Sequence, residues 1–296
     1  MRHITHTSTD NNATIAVEGL SRPVRMLHLT DTHLLQFDER DGDHAEACVA
    51  FCERFAADQK DEKGNSHDPQ SAFIQAMADA ASMELDLIAL TGDIIHYPSA
   101  ANVERVAGAI AELGVPALYT CGNHDVHYTD EPVNARMRLK SLPALQPLHR
   151  GDPDCSAALI GGVRFVSIDN SLAQISAKQL AFMRQQLSDD DPLVLLMHWP
   201  LSLPTLRNRT IEAIDAPILI GDPDWSAQSR LEWQVSADTA QTLEFVELLT
   251  SAVNLVAIFC GHIHFPHVDA INPRAVQYVG QPGFEGGRRL VEFRPL

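Results

Sequence analysis

The sequence of 296 residues predicts a layered α/β domain, and three observations carry that prediction. Short β-rich apolar runs alternate with amphipathic stretches of helical period. These runs are apolar throughout, without polar alternation, as expected of strands covered on both faces. Five of them stop directly before a short motif of Asp, Asn or His. In open α/β sheets ligands gather beyond the carboxyl ends of strands, so such motifs can converge on one point although they lie far apart in sequence. With 45% apolar residues the chain can bury a substantial core. It carries no internal repeat or low-complexity linker, which favours a single domain over residues 1–296.

Each element has its own warrant. Met1–Asn12 is polar, rich in His and Thr, and without the apolar stretch of a secretory signal, so it reads as a disordered tail. Val24–Leu29 is the first buried strand and leads to Asp31. Gln36–Asp68 is charged and polar, through Asp38-Glu39-Arg40-Asp41-Gly42-Asp43 and Lys60-Asp61-Glu62-Lys63-Gly64, and reads as an insertion near the site. Gln70–Met83 and Ala100–Leu113 are helical in period, with Pro69 at the start of the first and Gly114 after the second. Leu85–Leu90 leads to Gly92-Asp93, and Val115–Thr120 to Gly122. Val163–Ile168, the helix Ala177–Leu187 and Leu193–Met197 follow, the last ending at His198. Trp199–Ser236 carries Pro200, Pro204, Pro217, Pro223, Trp225 and Trp233 and reads as a second insertion. It starts one residue after a candidate ligand and should border the pocket. The helix Thr239–Ala252 and the strand Leu255–Cys260 lead to Gly261. Ala275–Val279 and Arg289–Phe293 flank a Gly-rich turn and suggest a closing hairpin or meander. Gly283, Gly286 and Gly287 fit a tight turn better than a phosphate loop, since no helix follows them.

The motifs are Asp31-Thr32-His33, Gly92-Asp93, Gly122-Asn123-His124-Asp125, His198 and Gly261-His262-Ile263-His264. Asp-x-His alone is usually a surface turn, and a single His at a strand end is usually a partly buried hydrogen-bonded residue. A whole set of such residues at strand ends is hard to explain that way. Asp, Asn and His together suit divalent cations, with positions left for water and substrate. Asp93 can bridge two ions through its two oxygens, and Asn123 offers a neutral carbonyl oxygen. His124 could protonate a leaving alkoxide, with Asp125 holding its imidazole in the right tautomer. Two ions about 3.5–4 Å apart clamp an in-line displacement at phosphorus. The chain therefore reads as a dinuclear metal-dependent phosphoesterase.

These motifs resemble those of the calcineurin-like metallophosphoesterase superfamily, from roughly Val24 to Gln281. The resemblance implies a four-layer αββα sandwich with its active site at the strand C-terminal edge. It implies that Asp31, His33, Asp93 and His264 bind one metal. Asp93, Asn123, His198 and His262 would bind the other, with Asp93 shared. His124 would be the general acid and phosphate contact, with Asp125 behind it. The metals would be iron, manganese or zinc, divalent or trivalent, and a metal-bridging hydroxide would attack phosphorus. Asp169-Asn170-Ser171 after the Val163–Ile168 strand is similar to the bacterial class III cyclic-nucleotide and glycerophosphodiester phosphodiesterases. Those often carry a second His after the ligand, where this chain has His198-Trp199-Pro200. A small phosphoester is the expected substrate, a diester before a monoester.

Composition limits the remaining options. No apolar run reaches the roughly 18 residues of a membrane span. A net charge of −17 disfavours nucleic-acid polymers, although bound cations would restore positive charge at the site. Cys48, Cys52, Cys121, Cys155 and Cys260 show no disulfide framework, which with no signal peptide suggests reduced thiols in the cytoplasm. His44, Cys48 and Cys52 at helical spacing could form a soft metal site, though buried free thiols are commoner. Trp199 could stack on an aromatic leaving group or serve as a buried structural residue. His96 and His127 could support the pocket. Arg207, Arg209 and Arg230 could grip an anion or pair with nearby acids. Apolar surface in Trp199–Ser236 could serve a homodimer. A non-catalytic scaffold binding a partner protein would be expected to have lost ligands, and all are present. A nuclease of the same superfamily would need a basic stripe, which is missing.

Overall fold

The computed structural model describes residues 2–9 and 11–296. In chain order it contains β1 (Ile4–Ser8), β2 (Asn12–Val17), β3 (Val24–Leu29), α1 (Ala45–Asp58), α2 (Pro69–Ala81), β4 (Leu87–Thr91), α3 (Ala100–Leu113), β5 (Ala117–Thr120) and α4 (Ala135–Leu145). The second half adds β6 (Cys155–Ile160), β7 (Val163–Ile168), α5 (Ala177–Leu187), β8 (Leu193–Leu196), α6 (Pro204–Ile214), α7 (Ala227–Glu232), α8 (Ala240–Ser251), β9 (Leu255–Cys260), β10 (His267–Ala270), β11 (Val276–Val279) and β12 (Arg289–Pro295).

The strands form two sheets of six, ordered β1-β2-β12-β3-β4-β5 and β10-β11-β9-β8-β7-β6. Their facing surfaces interdigitate: Met26, Leu87 and Ala89 of one meet Phe165, Val194 and Phe259 of the other. The opposite face of the first sheet, with Leu27, Ile88 and Leu90, is covered by Phe73 and Met77 of α2 and Val103 and Val106 of α3. The opposite face of the second, with Val166, Leu195 and Ile258, is covered by α5, α6 and α8. Two central sheets flanked by helices give the four layers. Strands apolar on both faces, such as β4, β8 and β9, are the physical consequence: neither face sees water. Helix ends follow the capping residues. Asp68 accepts from the Ser71 amide before Pro69, Ser99 accepts from the Asn102 amide, and Gly114 closes α3 at φ 65°.

Two expectations from the sequence need correction. The N-terminal segment is not a disordered tail over its described residues: Ile4–Ser8 pairs antiparallel with Asn12–Val17, Ile4 opposite Val17. Met1 and Asp10, which belonged to the same expectation, lie outside the described residues. Pairing supplies backbone partners to the free edge of β2. His6 ties the strand to the opposite sheet through the Tyr278 hydroxyl at 3.0 Å and the Arg274 carbonyl at 2.9 Å. The C-terminal strands do not form a hairpin either. β11 lies between β10 and β9 in one sheet, and β12 between β2 and β3 in the other. The Gly-rich turn between them carries the chain across the sandwich.

The two segments read as insertions contain helices. Residues 36–68 form α1, and 199–236 form α6 and α7.

Candidate metal centre

The motif loops sit where β3, β4, β5, β8 and β9 end. Their backbone is strained in a consistent way. Among the described residues, the non-glycine residues with positive φ are Asp31, His33, Asp93, Ala173, Asp215, Gln234, His262 and His264. Five of these eight are candidate ligands. The left-handed region costs an L-residue of order 1–2 kcal/mol and persists only where the surroundings enforce it, commonly at functional sites. Asp31 and His33 therefore do not share a face by continuing a strand; successive left-handed turns aim them. The turns are pinned across the sheet edge, with the Asp31 amide donating to Gly92 O at 3.0 Å and the His33 amide to Asp93 O at 2.9 Å. Two glycines are needed for space. A Cβ on Gly261 would overlap the Thr30 hydroxyl and the Asp31 carboxylate, and one on Gly122 would overlap the Asp93 carboxylate.

The loops bring together two His/Asp groups that can hold metal, Asp31 with His33 and His264, and Asp93 with His198 and His262. His33 Nε2 stands 3.1 Å from His264 Nε2, and His264 Nε2 stands 3.4 Å from Asp31 Oδ1. Asp93 Oδ2 lies 3.1 Å from His198 Nε2 and 3.9 Å from His33 Nε2, so its carboxylate stands between the groups. Donor atoms sharing one ion at bonds of about 2.0–2.2 Å stand about 3–4 Å from each other. Three of the donor atoms also lack a partner: His198 Nε2, His262 Nε2 and Asn123 Oδ1 are buried without a hydrogen bond. The Nδ1–H of His198 donates to Thr91 O at 2.8 Å, leaving Nε2 as the free lone pair. These residues fit a pair of hard or borderline cations.

Electrostatics match that reading. Burial works against the ionised carboxyl of Asp31, but His264 and His198 prevail and hold it at about 2. Asp93 is likewise held well below the usual carboxylate range, its burial outweighed by His198 and His124. Burial opposes protonation of His198, yet Asp93 raises it to about 9. Without cations, protonated imidazole compensates the two carboxylates. Burial lowers His33 to about 3 and His124 to about 4.

His124 lies at the mouth of the centre, its amide donating to Asp93 Oδ1 at 2.8 Å and its ring stacked on His96 at 4.1 Å. Asp125 does not hold this imidazole, contrary to the sequence expectation. Its carboxylate accepts the amides of Gly122 at 2.6 Å, Asp93 at 2.7 Å and Ile95 at 3.0 Å. The carboxylate of Asp125 thus pins two motif loops to each other. The short turn His124–Val126 carries it under the backbone, away from the ring.

His96 lies against the His124 ring without hydrogen-bonding it. Its Nδ1 pairs with His33 Nδ1 at 2.9 Å, and its ring lies between His124 and Phe51 of α1, 3.6 Å from the latter. His127, which could support the pocket, is engaged with Tyr128 O at 2.6 Å, 6.0 Å from the His124 ring. Trp199 is buried and stacks on His262 at 3.5 Å. Asn170 clamps that loop, accepting the His198 and Trp199 amides at 2.9 and 3.0 Å. Phe284, which sequence reasoning missed, packs its ring 5.3 Å from His264 and 5.8 Å from His33. Its only sequence signal was a place in a glycine-rich turn. His44, Cys48 and Cys52 do not assemble a metal set among the described residues: His44 bonds Asp130 at 2.9 Å, and Cys52 faces Leu35 O and Tyr97.

A chamber of about 730 Å³ opens from Asp93, Asn123, His124, His262 and His264. Much of its wall comes from the Trp199–Ser236 segment, including Ile214, Ile218, Trp233 and Val235.

Paired Asp/His groups at the sheet edges of an αββα sandwich define a class of metal-dependent hydrolytic domain. The chain belongs to the calcineurin-like phosphoesterase family, whose model matches residues 24–266, and it is a metal-dependent phosphoric ester hydrolase. It is 25% identical over 223 residues to a protein of Synechococcus sp. named "Probable cyclic nucleotide phosphodiesterase", covering 71% of this chain and 72% of that one. It is 24% identical over 259 residues to a 3',5'-cyclic adenosine monophosphate phosphodiesterase of Vibrio vulnificus, covering 88% of this chain and 74% of the relative. A dimetal phosphatase from Danio rerio shares the fold with a TM-score of 0.53 and 14% identity over 88% of each chain. Among the described residues, no helix is long and apolar enough to cross a membrane.

Proposed function

We propose that this chain is a dinuclear phosphodiesterase acting on a small phosphodiester. Asp31, His33, Asp93 and His264 would hold one cation, and Asp93, Asn123, His198 and His262 the other. The observation that carries this reading is the position of Asp93 Oδ2, 3.1 Å from His198 Nε2 and 3.9 Å from His33 Nε2, with Nε2 of both His198 and His262 buried and without a hydrogen bond. When bound, the cations supply Lewis acidity to phosphoryl oxygens and to an attacking water.

The chain's own residues do the rest. Asp125 holds the Gly92-Asp93 and Gly122-Asn123 loops in mutual register through three amides. His124, exposed to the chamber, offers its ring to the phosphoryl group and the leaving oxygen. Burial keeps it neutral at neutral pH, and an anionic phosphoryl group against it raises its proton affinity toward the range a general acid needs. A diester is favoured over a monoester because the bacterial relatives from Synechococcus and Vibrio vulnificus are named as cyclic nucleotide phosphodiesterases.

The test is a panel of a cyclic nucleotide, a glycerophosphodiester, a nucleoside monophosphate and an activated aryl phosphodiester, assayed on metal-reconstituted protein with elemental analysis. Two equivalents of metal and turnover of diesters before monoesters are expected. Hydrolysis that survives complete metal removal would overturn the reading.

A further inference from the structure

We propose that the chamber receives the organic part of the substrate, and that this part is uncharged, largely apolar and equipped with a hydrogen-bond acceptor. The inference rests on the phosphoesterase reading and extends it to substrate class. The volume, about 730 Å³, is far more than a phosphoryl group fills and lies within the range of sites for whole small molecules. Leu172, Ile214, Ile218, Trp233, Val235 and Phe265 form its apolar wall. Apart from Asp93 and the imidazoles at the metal centre, no ionisable side chain lines it among the described residues.

The arginines of the neighbouring segment are committed elsewhere. Arg207 pairs with Asp222 at 2.7 Å, and Arg230 with Asp238 at 2.6 Å. Arg209 lies over the Phe265 ring at 4.6 Å and reaches Pro266 O. A second phosphate or a carboxylate entering this chamber would lose its hydration and find no cation. An apolar group gains by the same transfer. Neutral polar residues, Asn134, Gln174, Gln234 and Ser236 among them, interrupt the wall, and two further lining residues carry unpaired donors. Ser171 Oγ and Trp199 Nε1 are both buried, both belong to lining residues, and neither has a hydrogen-bond partner. Unpaired buried donors are uncommon in folded proteins, and an acceptor oxygen or nitrogen on the ligand would satisfy them.

The experiment uses the metal-reconstituted chain and p-nitrophenyl phosphodiesters that differ only in the second ester group: methyl, hexyl and 5-carboxypentyl. The expected kcat/KM for hexyl exceeds methyl by about tenfold or more, with 5-carboxypentyl at or below methyl. Ala213→Lys, at an exposed lining position, should raise the ratio of carboxypentyl to hexyl turnover by about tenfold. A hexyl-length ester carrying an ether oxygen should lose kcat/KM in Ser171→Ala more than the hexyl ester does. Equal turnover of the three esters, or preference for the carboxylate, would overturn the proposal. If no ester is hydrolysed, the functional reading fails, and calorimetric binding of methyl-, hexyl- and 5-carboxypentylphosphonate still decides the chamber. Tightest binding of hexylphosphonate supports it, and any other order overturns it.

Discussion

The candidate ligand residues concentrate strain. Asp31, His33, Asp93, His262 and His264 occupy left-handed backbone although none is glycine. Cations would hold these turns, and the loop hydrogen bonds alone must hold them otherwise. Asp93 stands between both groups, so Asp93→Ala should lose metal and activity together, read by elemental analysis beside turnover. His124 bonds Asp93 through its backbone amide, which a side-chain substitution leaves in place. His124→Ala should therefore retain the metal content and lower turnover by about 10²–10⁴-fold. Parallel loss of metal in both variants would remove the distinction. His96 orients His33 through Nδ1 and stacks on His124. His96→Ala should weaken metal affinity or activity roughly 10- to 100-fold, as for partners of metal-bound imidazoles. Metal titration of the variant checks it, and an unchanged affinity with unchanged turnover would leave His33 oriented by other means.

At the level of elements, the strands and helices with strong local patterns coincide with expectation. Val24–Leu29, Val163–Ile168 and Leu255–Cys260 are strands, and Ala100–Leu113 and Ala177–Leu187 are helices, at the bounds their apolar periodicity indicated. Elements without such a pattern escaped. α4 carries Pro143 inside its span. β6 and β10 lie at the sheet edge, alternating half-buried with exposed residues. β1 was invisible because ITHTS gains its partners only once β2 is in place. Its anchor, His6, also sets a pH dependence. Burial lowers the His6 pKa below the ordinary 6.5, so the detached strand binds a proton more readily than the docked one. Stability of β1 is thus complete above about 6.5 and lost as pH falls below it toward the folded value. Protection factors of the Ile4–Ser8 amides should decline through that window, and His6→Gln should flatten the decline. A flat profile in the unsubstituted protein would contradict the linkage.

For the whole molecule, the two sheets are carried by a continuous apolar interior, whereas their carboxyl edge gathers buried carboxylates and imidazoles. Asp31 and Asp93 lie close enough for each to oppose the ionisation of the other. Cations that bind the folded edge and not the unfolded chain stabilise by mass action. Metal loading should therefore raise Tm, and a chelator should lower it reversibly. Scanning calorimetry of apo and loaded protein checks this, and equal Tm values at saturating metal would count against a built cation site.

The sequence by itself determined which residues stand at the strand ends, because burial on both faces leaves a local mark and the Asp, Asn and His motifs directly follow it. From that came the family the motifs resemble, and the resemblance in turn implied the division of the donors into two groups. The tertiary structure decided what those residues touch. It turned Asp125 toward backbone amides, set His96 between His124 and Phe51, and sent β11 and β12 into different sheets. It also gave the Trp199–Ser236 segment, expected to border the pocket, the apolar side chains that line a chamber. Those outcomes depend on contacts between residues far apart in the chain, and no pattern confined to one stretch of sequence encodes them.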